Sequence, residues 1–157
     1  MAIAVRRATQ DDVPRVAEFA MKLVEQHQAY DPIRFARIAT LDGMKWFYGS
    51  QIEAKDAAVL VAELDGGIVG FVYIGYEEKN YAELAVSTAR LHDIYVDEAA
   101  RHSGAGKALI GATFEVAKEF GASKLMLSVA EKNKPAQEFF EKSGFRATMR
   151  EMMLPID

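Results

Sequence analysis

A strand that runs into a glycine-bearing loop and then a helix constrains this chain more than anything else in it. Leu91-His92-Asp93-Ile94-Tyr95-Val96 reads as the strand, Asp97 to Ser103 as the loop, and a long helix opens at Gly104-Ala105-Gly106. The first turn of a helix leaves its N–H groups without carbonyl partners, and the helix dipole adds partial positive charge there. An anion fits that place. Glycine lets a ligand come close to the backbone, and Arg101 and Lys107 add full charges. The loop is a candidate phosphate seat.

Two other phosphate loops fail against it. A Walker A loop needs Gly ahead of its Gly-Lys pair and Ser or Thr after it. Here Arg101 stands in the first place and Ala108 in the last. A dinucleotide loop needs Gly or Ala at its sixth position and an acid after the next strand. Those places hold Leu109 and the segment Lys124-Leu125-Met126-Leu127-Ser128.

The other elements follow from periodicity and punctuation. Ile3 to Arg7 is a short strand. Thr9 and Asp12 form a capping pattern for a helix running to about His27, with Pro14 in its first turn. Asp31-Pro32 interrupts it. Thr40 to Ala54 is a second helix, with Met44, Phe47 and Ile52 inward. Ala58 to Leu64 and Ile68 to Tyr76 are strands joined by the hairpin signal Asp65-Gly66-Gly67. Glu77 to Asn80 reads as a charged loop, and Ala85 to Val96 contains the next strand. The helix from Gly104 ends near Phe120-Gly121. Lys124 to Val129 is a buried-looking strand, Pro135 to Lys142 a short helix, and Phe145 to Leu154 a closing strand. The order β-α-α-β-β-β-α-β-α-β describes one domain over 1–157, an α/β chain of the α+β type with helices on a mixed sheet.

Composition narrows the function. The net charge of −4 lacks the basic excess of a nucleic-acid binder. The most apolar stretch, Ala57 to Leu64, is broken by Glu63 and is too short to span a bilayer. The basic residues Arg6 and Arg7 follow the apolar start, the reverse of a secretory leader. With no cysteine, disulfides, thiolate metal sites and a covalent Cys intermediate are excluded. The expectation is a cytoplasmic protein with no nucleic-acid or membrane partner.

The Arg-x-x-Gly-x-Gly spacing of Arg101, Gly104 and Gly106, preceded by Leu91 to Val96, resembles the GNAT superfamily of N-acetyltransferases. A second segment, Asn133-Lys134-Pro135-Ala136-Gln137-Glu138-Phe139-Phe140-Glu141-Lys142-Ser143-Gly144-Phe145, resembles that family's Asn-x-x-Ala-x-x-apolar-Tyr-Glu-Lys-x-Gly-Phe pattern. Val5 to Asp12 looks like its opening. The likeness covers nearly the whole chain in the expected order.

The resemblance implies a twisted, mostly antiparallel sheet flanked by about four helices, and acetyl-CoA as donor co-substrate. Main-chain groups of Ile94, Tyr95 and Val96 would pair with the pantetheine arm. The amides of His102, Ser103, Gly104, Ala105, Gly106 and Lys107, with Arg101, would hold the pyrophosphate. Asn133 would contact the CoA arm, Phe140 would line the thioester end, and Lys142 would reach a phosphate. The acceptor would be a small-molecule or protein amine that attacks directly in a ternary complex, with no metal. The acceptor pocket would lie near His27 to Pro32, with Tyr30 and Phe35 as candidate lining. A homodimer is common in proteins of this kind.

Two positions depart from the pattern. Phe140 occupies the place of a tyrosine that protonates the departing thiolate, and Glu98 stands where Pro is common. Tyr30, Tyr76 and Tyr81 are alternative acids. A non-catalytic acyl-CoA-binding module and an interaction domain without activity are the rival readings that Phe140 keeps open. His92 is the candidate general base, since imidazole accepts a proton near neutrality. Strand alternation points it with Ile94 and Val96, and Asp93 to the opposite face. The alternative is a hydrogen-bonded structural histidine. Trp46, Phe47 and Tyr48 read as core, and Lys132 and Lys134 as solvated loop charges.

Overall fold

A computed structural model describes residues 2–156. In chain order it contains β1 (Ala4–Arg7), α1 (Val13–Tyr30), α2 (Leu41–Glu53), β2 (Ala57–Leu64), β3 (Gly67–Asn80), β4 (Ala85–Val96), α3 (Ala105–Glu119), β5 (Lys124–Leu127) and α4 (Lys134–Lys142). A 3-10 turn, Gln10–Asp12, leads into α1, and a second, Glu98–Ala100, follows β4. At the first, the Thr9 side chain and the Asp12 carboxylate cap each other's backbone reciprocally, as the Thr-x-x-Asp spacing predicts. Asp12 also receives both terminal nitrogens of Arg6, at 2.7 and 3.0 Å, which fastens β1 to the start of α1.

The sheet order is β1-β2-β3-β4-β5. The first four strands are antiparallel, and β5 lies parallel to β4. Asp65 and Gly66 both have positive φ, 53° and 82°, which suits a tight hairpin between right-twisted strands. The parallel pair needs a crossover, and α3 supplies it. Leu60, Val72, Ile74, Leu109 and Val116 fill the layer under α3. Val16, Phe19, Val59, Val61 and Phe71 fill the layer under α1 and α2. Burial on both faces accounts for the apolar run of β2 from Ala57 to Ala62.

Several sequence expectations change. The segment Glu77 to Asn80 continues β3, paired with β4 as far as Asn80↔Ala85. His27 to Tyr30 forms the last turn of α1. Trp46 is 74% exposed on the outer side of α2, whereas Tyr48 is buried and Phe47 packs against the core. Residues 145–154 form no strand. With no strand beyond it among the described residues, β5 is a partly exposed sheet edge.

Candidate active site

The candidate donor end starts where two strands part. β4 pairs with β5 only from Thr88↔Lys124 to Leu91↔Leu127, yet β4 runs on to Val96. From His92 onward its β5-side edge has no strand partner among the described residues. The Asp97 N–H bonds to the Val69 carbonyl on β3 at 2.7 Å. Main-chain groups alternate along a strand, so those of Val96 and Ile94 face the open edge. Tyr95 faces β3, opposite Phe71, and its ring is buried 5.2 Å from that of Phe19.

The loop after β4 is sharply bent. His102 and Gly104 have φ of 66° and 93°. Left-handed residues in such a turn bring successive N–H groups onto one concave side. The bond from Ala108 N–H to the Gly104 carbonyl, 3.0 Å long, opens the α3 ladder. The amides of Gly106 and Lys107 precede it and lie in the turn where helix geometry provides no acceptor. The Ala105 N–H donates to Ser103 Oγ at 3.4 Å. Arg101 donates Nε to the Val96 carbonyl at 3.2 Å and lies over the Tyr95 ring. This keeps its exposed guanidinium beside the loop.

The second motif packs against the first. A Cβ on Gly106 would sit 3.3 Å from the Phe139 ring, so α4 closes directly on the first turn of α3. Asn133 caps α4 by accepting from Ala136 N–H at 3.2 Å. Phe140 is 7% exposed and lies between the rings of Phe139 and Phe145, at 5.5 and 5.8 Å. Lys142 is exposed in the last turn of α4, where a cation also suits the helix dipole.

His92 does not point where simple alternation puts it. The β3–β4 register steps from Tyr73↔Asp93 to Ile74↔Leu91, which leaves His92 as the extra residue of a β-bulge. The bulge turns His92 and Asp93 to one face, the α2 side, away from Ile94 and Val96. The His92 ring stacks on Tyr73 with centroids 4.9 Å apart. Asp93 accepts from the Tyr48 hydroxyl at 2.6 Å, and Tyr73 donates to Gln51 Oε1 at 2.9 Å. Burial pushes the Asp93 carboxyl up, against the Tyr48 hydrogen bond and the charge of His92. Burial pushes the His92 imidazole down, against the charge of Asp93. Burial and Asp93 together raise the Tyr48 phenol. Burial thus favours the uncharged imidazole at His92.

His92 faces a cleft of about 180 Å³ shared with Gln51, Asp56, Tyr73, Tyr76 and Glu77. Sequence reading missed Gln51, Asp56, Tyr73 and Glu77, because only the strand register assembles them. Among the three alternative tyrosines, Tyr76 alone lines this cleft. It also stacks on Phe120, at 5.6 Å. Tyr81 is 85% exposed. Tyr30 and Phe35 converge on His27, at 5.9 and 4.9 Å, and the charge of His27 in turn favours ionised Asp93. A second cleft of about 280 Å³ lies beside Phe35, lined also by Glu25, Gln28, Pro32 and Arg37. Among the described residues, no three His, Asp or Glu side chains converge as metal ligands.

This geometry agrees with the sequence resemblance. The profile of the acetyltransferase (GNAT) family matches residues 20–145. The chain belongs to that family. Among GNAT relatives, an uncharacterized N-acetyltransferase of Methanocaldococcus jannaschii is 29% identical over 146 residues, 90% of this chain and 59% of that protein. This chain thus spans under two thirds of that relative. The N-acetyltransferase YhfO of Bacillus subtilis is 25% identical over 143 residues, covering 90% of this chain and 88% of YhfO. The GNAT fold recurs in the aminoglycoside N-acetyltransferase AAC(6')-Iy, solved with a CoA bisubstrate analog. It matches at a TM-score of 0.81 and 17% identity over 100% of this chain and 99% of that one.

Proposed function

We propose that the protein transfers an acetyl group from acetyl-CoA to a primary amine in a ternary complex. One observation carries the reading. The His92 imidazole faces an acid-lined cleft at the start of the open β4 edge that leads to the candidate phosphate seat. The seat suits a pyrophosphate, with left-handed His102 and Gly104, first-turn amides at Gly106 and Lys107, and no atom within 4 Å of where a Gly104 Cβ would stand. Its basic side chains, Arg101 and Lys107, suit the same charge. Bound acetyl-CoA supplies a thioester whose C–S bond breaks as the C–N bond to the amine forms.

The chain's own groups divide the remaining work. The amides of His102 to Lys107 hold the pyrophosphate and set the register of the donor arm. The Ile94 and Val96 main chain pairs with that arm as a strand would. Asp56 and Glu77 draw a protonated amine into the cleft. His92 accepts the proton the amine must lose before attack, at an imidazole nitrogen, directly or through one water. Phe140 offers no proton to the departing thiol. A thiol of pKa about 8.5 leaves with modest help, so the step needs less acid catalysis than alkoxide departure. Tyr76, on the same cleft, is the tyrosine best placed to give it.

A screen of acetyl-CoA against diverse amines, read as released thiol, tests this. Turnover with cationic primary amines is the expected result. Tight CoA binding without turnover on any amine would favour the acyl-CoA-binding reading that the buried Phe140 keeps open.

A further inference from the structure

The cleft beside Phe35 lies on the side of α1 turned away from the sheet. Val16, Phe19, Ala20 and Leu23 turn inward to the layer against the sheet, and His27 continues that row one turn on. Glu25 lies about 200° around the helix from Leu23, and Ala29 as far from His27. With Gln28 and the loop residues Pro32, Phe35 and Arg37, they line the cleft of about 280 Å³. It shares no lining residue with the His92 cleft. The loop that walls it is held in place by its own bonds. Asp31 accepts from the N–H groups of Ile33 and Arg34, both at 3.1 Å, and the Phe35 N–H donates to the Asp31 carbonyl at 3.0 Å.

Three side chains in this cleft hold unmet bonding capacity. Gln28 is 9% exposed, and its Nε2 donates to the Ala36 carbonyl at 3.3 Å. Its Oε1 accepts nothing from the described residues. No fully buried side-chain oxygen among them lacks a partner, so this oxygen opens on the cleft. Arg37 and Glu25 are exposed at the rim, and neither lies within 4.0 Å of an opposite charge among the described residues. Arg34, in the same loop, is by contrast paired with Glu151. We propose that this cleft is a second ligand site, for a free amino acid with an apolar side chain. The carboxylate takes the planar fork of Arg37, the ammonium donates to Gln28 Oε1 and to Glu25, and the side chain lies on Phe35 and Pro32. A dianion would meet Glu25 and a dication would meet Arg37, whereas a zwitterion satisfies both. The volume suits a molecule of that size and is small for a nucleotide.

Calorimetry on the full chain without CoA should show one molecule of L-leucine or L-phenylalanine bound per chain. Leucinamide lacks the carboxylate and isocaproate lacks the ammonium, and each should bind about tenfold more weakly or worse. Arg37→Met should weaken leucine binding by about the same factor, with circular dichroism confirming the fold. In NMR spectra, leucine should shift the signals of the Gln28 side-chain amide and the Arg37 Nε–H. No binding of either amino acid, or unchanged leucine affinity in folded Arg37→Met, would overturn the proposal. So would leucine shifts centred on His92 and Tyr73, which would make the amino acid an acceptor in the other cleft. The test uses neither CoA nor turnover, so its result is independent of acetyl transfer.

Discussion

The ring of His92 lies 4.9 Å from that of Tyr73 and 24° from parallel with it. Tyr73 is held in turn by Gln51 and by the edges of Phe47 and Tyr48. A ring fixed on that side has little freedom to rotate, so the Tyr73 stack sets where a proton acceptor can stand. Burial lowers the His92 pKa from its ordinary value near 6.5. In the proposed mechanism the neutral form accepts the proton. The rate at saturating amine should therefore fall as pH drops through a value below 6.5, and stay flat above it until other groups titrate. His92→Ala should remove that acid limb and lower kcat by about 10²–10⁴-fold. Tyr73→Leu should keep the limb but shift it, because the stack is gone and the imidazole remains. An unchanged rate and pH profile in His92→Ala would show that another group is the base.

Gly75 lies directly across from the imidazole. A Cβ there would stand 3.0 Å from His92 Nε2, closer than ordinary contact. The imidazole is the exposed partner and gives way, while the strand does not. Gly75→Ala should therefore lower kcat by about tenfold or more, with a shift in Tm of only a few degrees. A variant with wild-type kcat would show that the observed His92 position is not the working one.

Gly104 and Gly106 serve the same loop for different reasons. Gly104 has φ of 93° and open space around it, so a side chain costs backbone strain of about 1–2 kcal/mol. Relaxing that strain moves the amides, and Gly104→Val should weaken CoA binding about tenfold in calorimetry. At Gly106 the obstacle is the Phe139 ring, 3.3 Å from the added Cβ. Gly106→Leu should weaken CoA binding and also lower stability, and Phe139→Ala in the same chain should restore part of the stability. Undiminished CoA affinity in both variants would move the phosphate seat elsewhere.

Asp12 anchors the other end of the molecule. Its carboxyl is held below the usual range chiefly by the Arg6 hydrogen bonds, against the cost of burial. The folded-state pKa lies below the unfolded one, so the stabilisation is fully present above about 3.9 and is lost as pH falls through the folded value. Asp12→Asn should cost about 1–3 kcal/mol at neutral pH, nearer the low end because Arg6 is largely solvated. Its stability should vary less with pH through that acid window. Matching acid denaturation curves for the variant and the wild type would contradict this.

Much of the local structure around the candidate site was legible without coordinates. The cap at Thr9, the Asp65-Gly66 turn and the Gly104 helix start each depend on neighbours a few residues away, so spacing alone reveals them. Asn133 was also legible, though its oxygen turns out to cap α4. Tyr73, Gln51, Asp56 and Glu77 were not. They come from a strand, a helix end and a connection with no local pattern that marks them as a group.

The same division separates what sequence alone determined from what needed the fold. Arg101 to Lys107 makes its candidate phosphate seat from contiguous residues, because a helix start exposes its own amides and needs no distant partner. The direction of His92 depends on the register of β4 against β3. One unpaired residue reverses the face that simple alternation assigns. The closing segment shows the same limit. Its composition makes it a strand candidate, but a strand exists only beside a partner, and within one chain residues 145–154 have none.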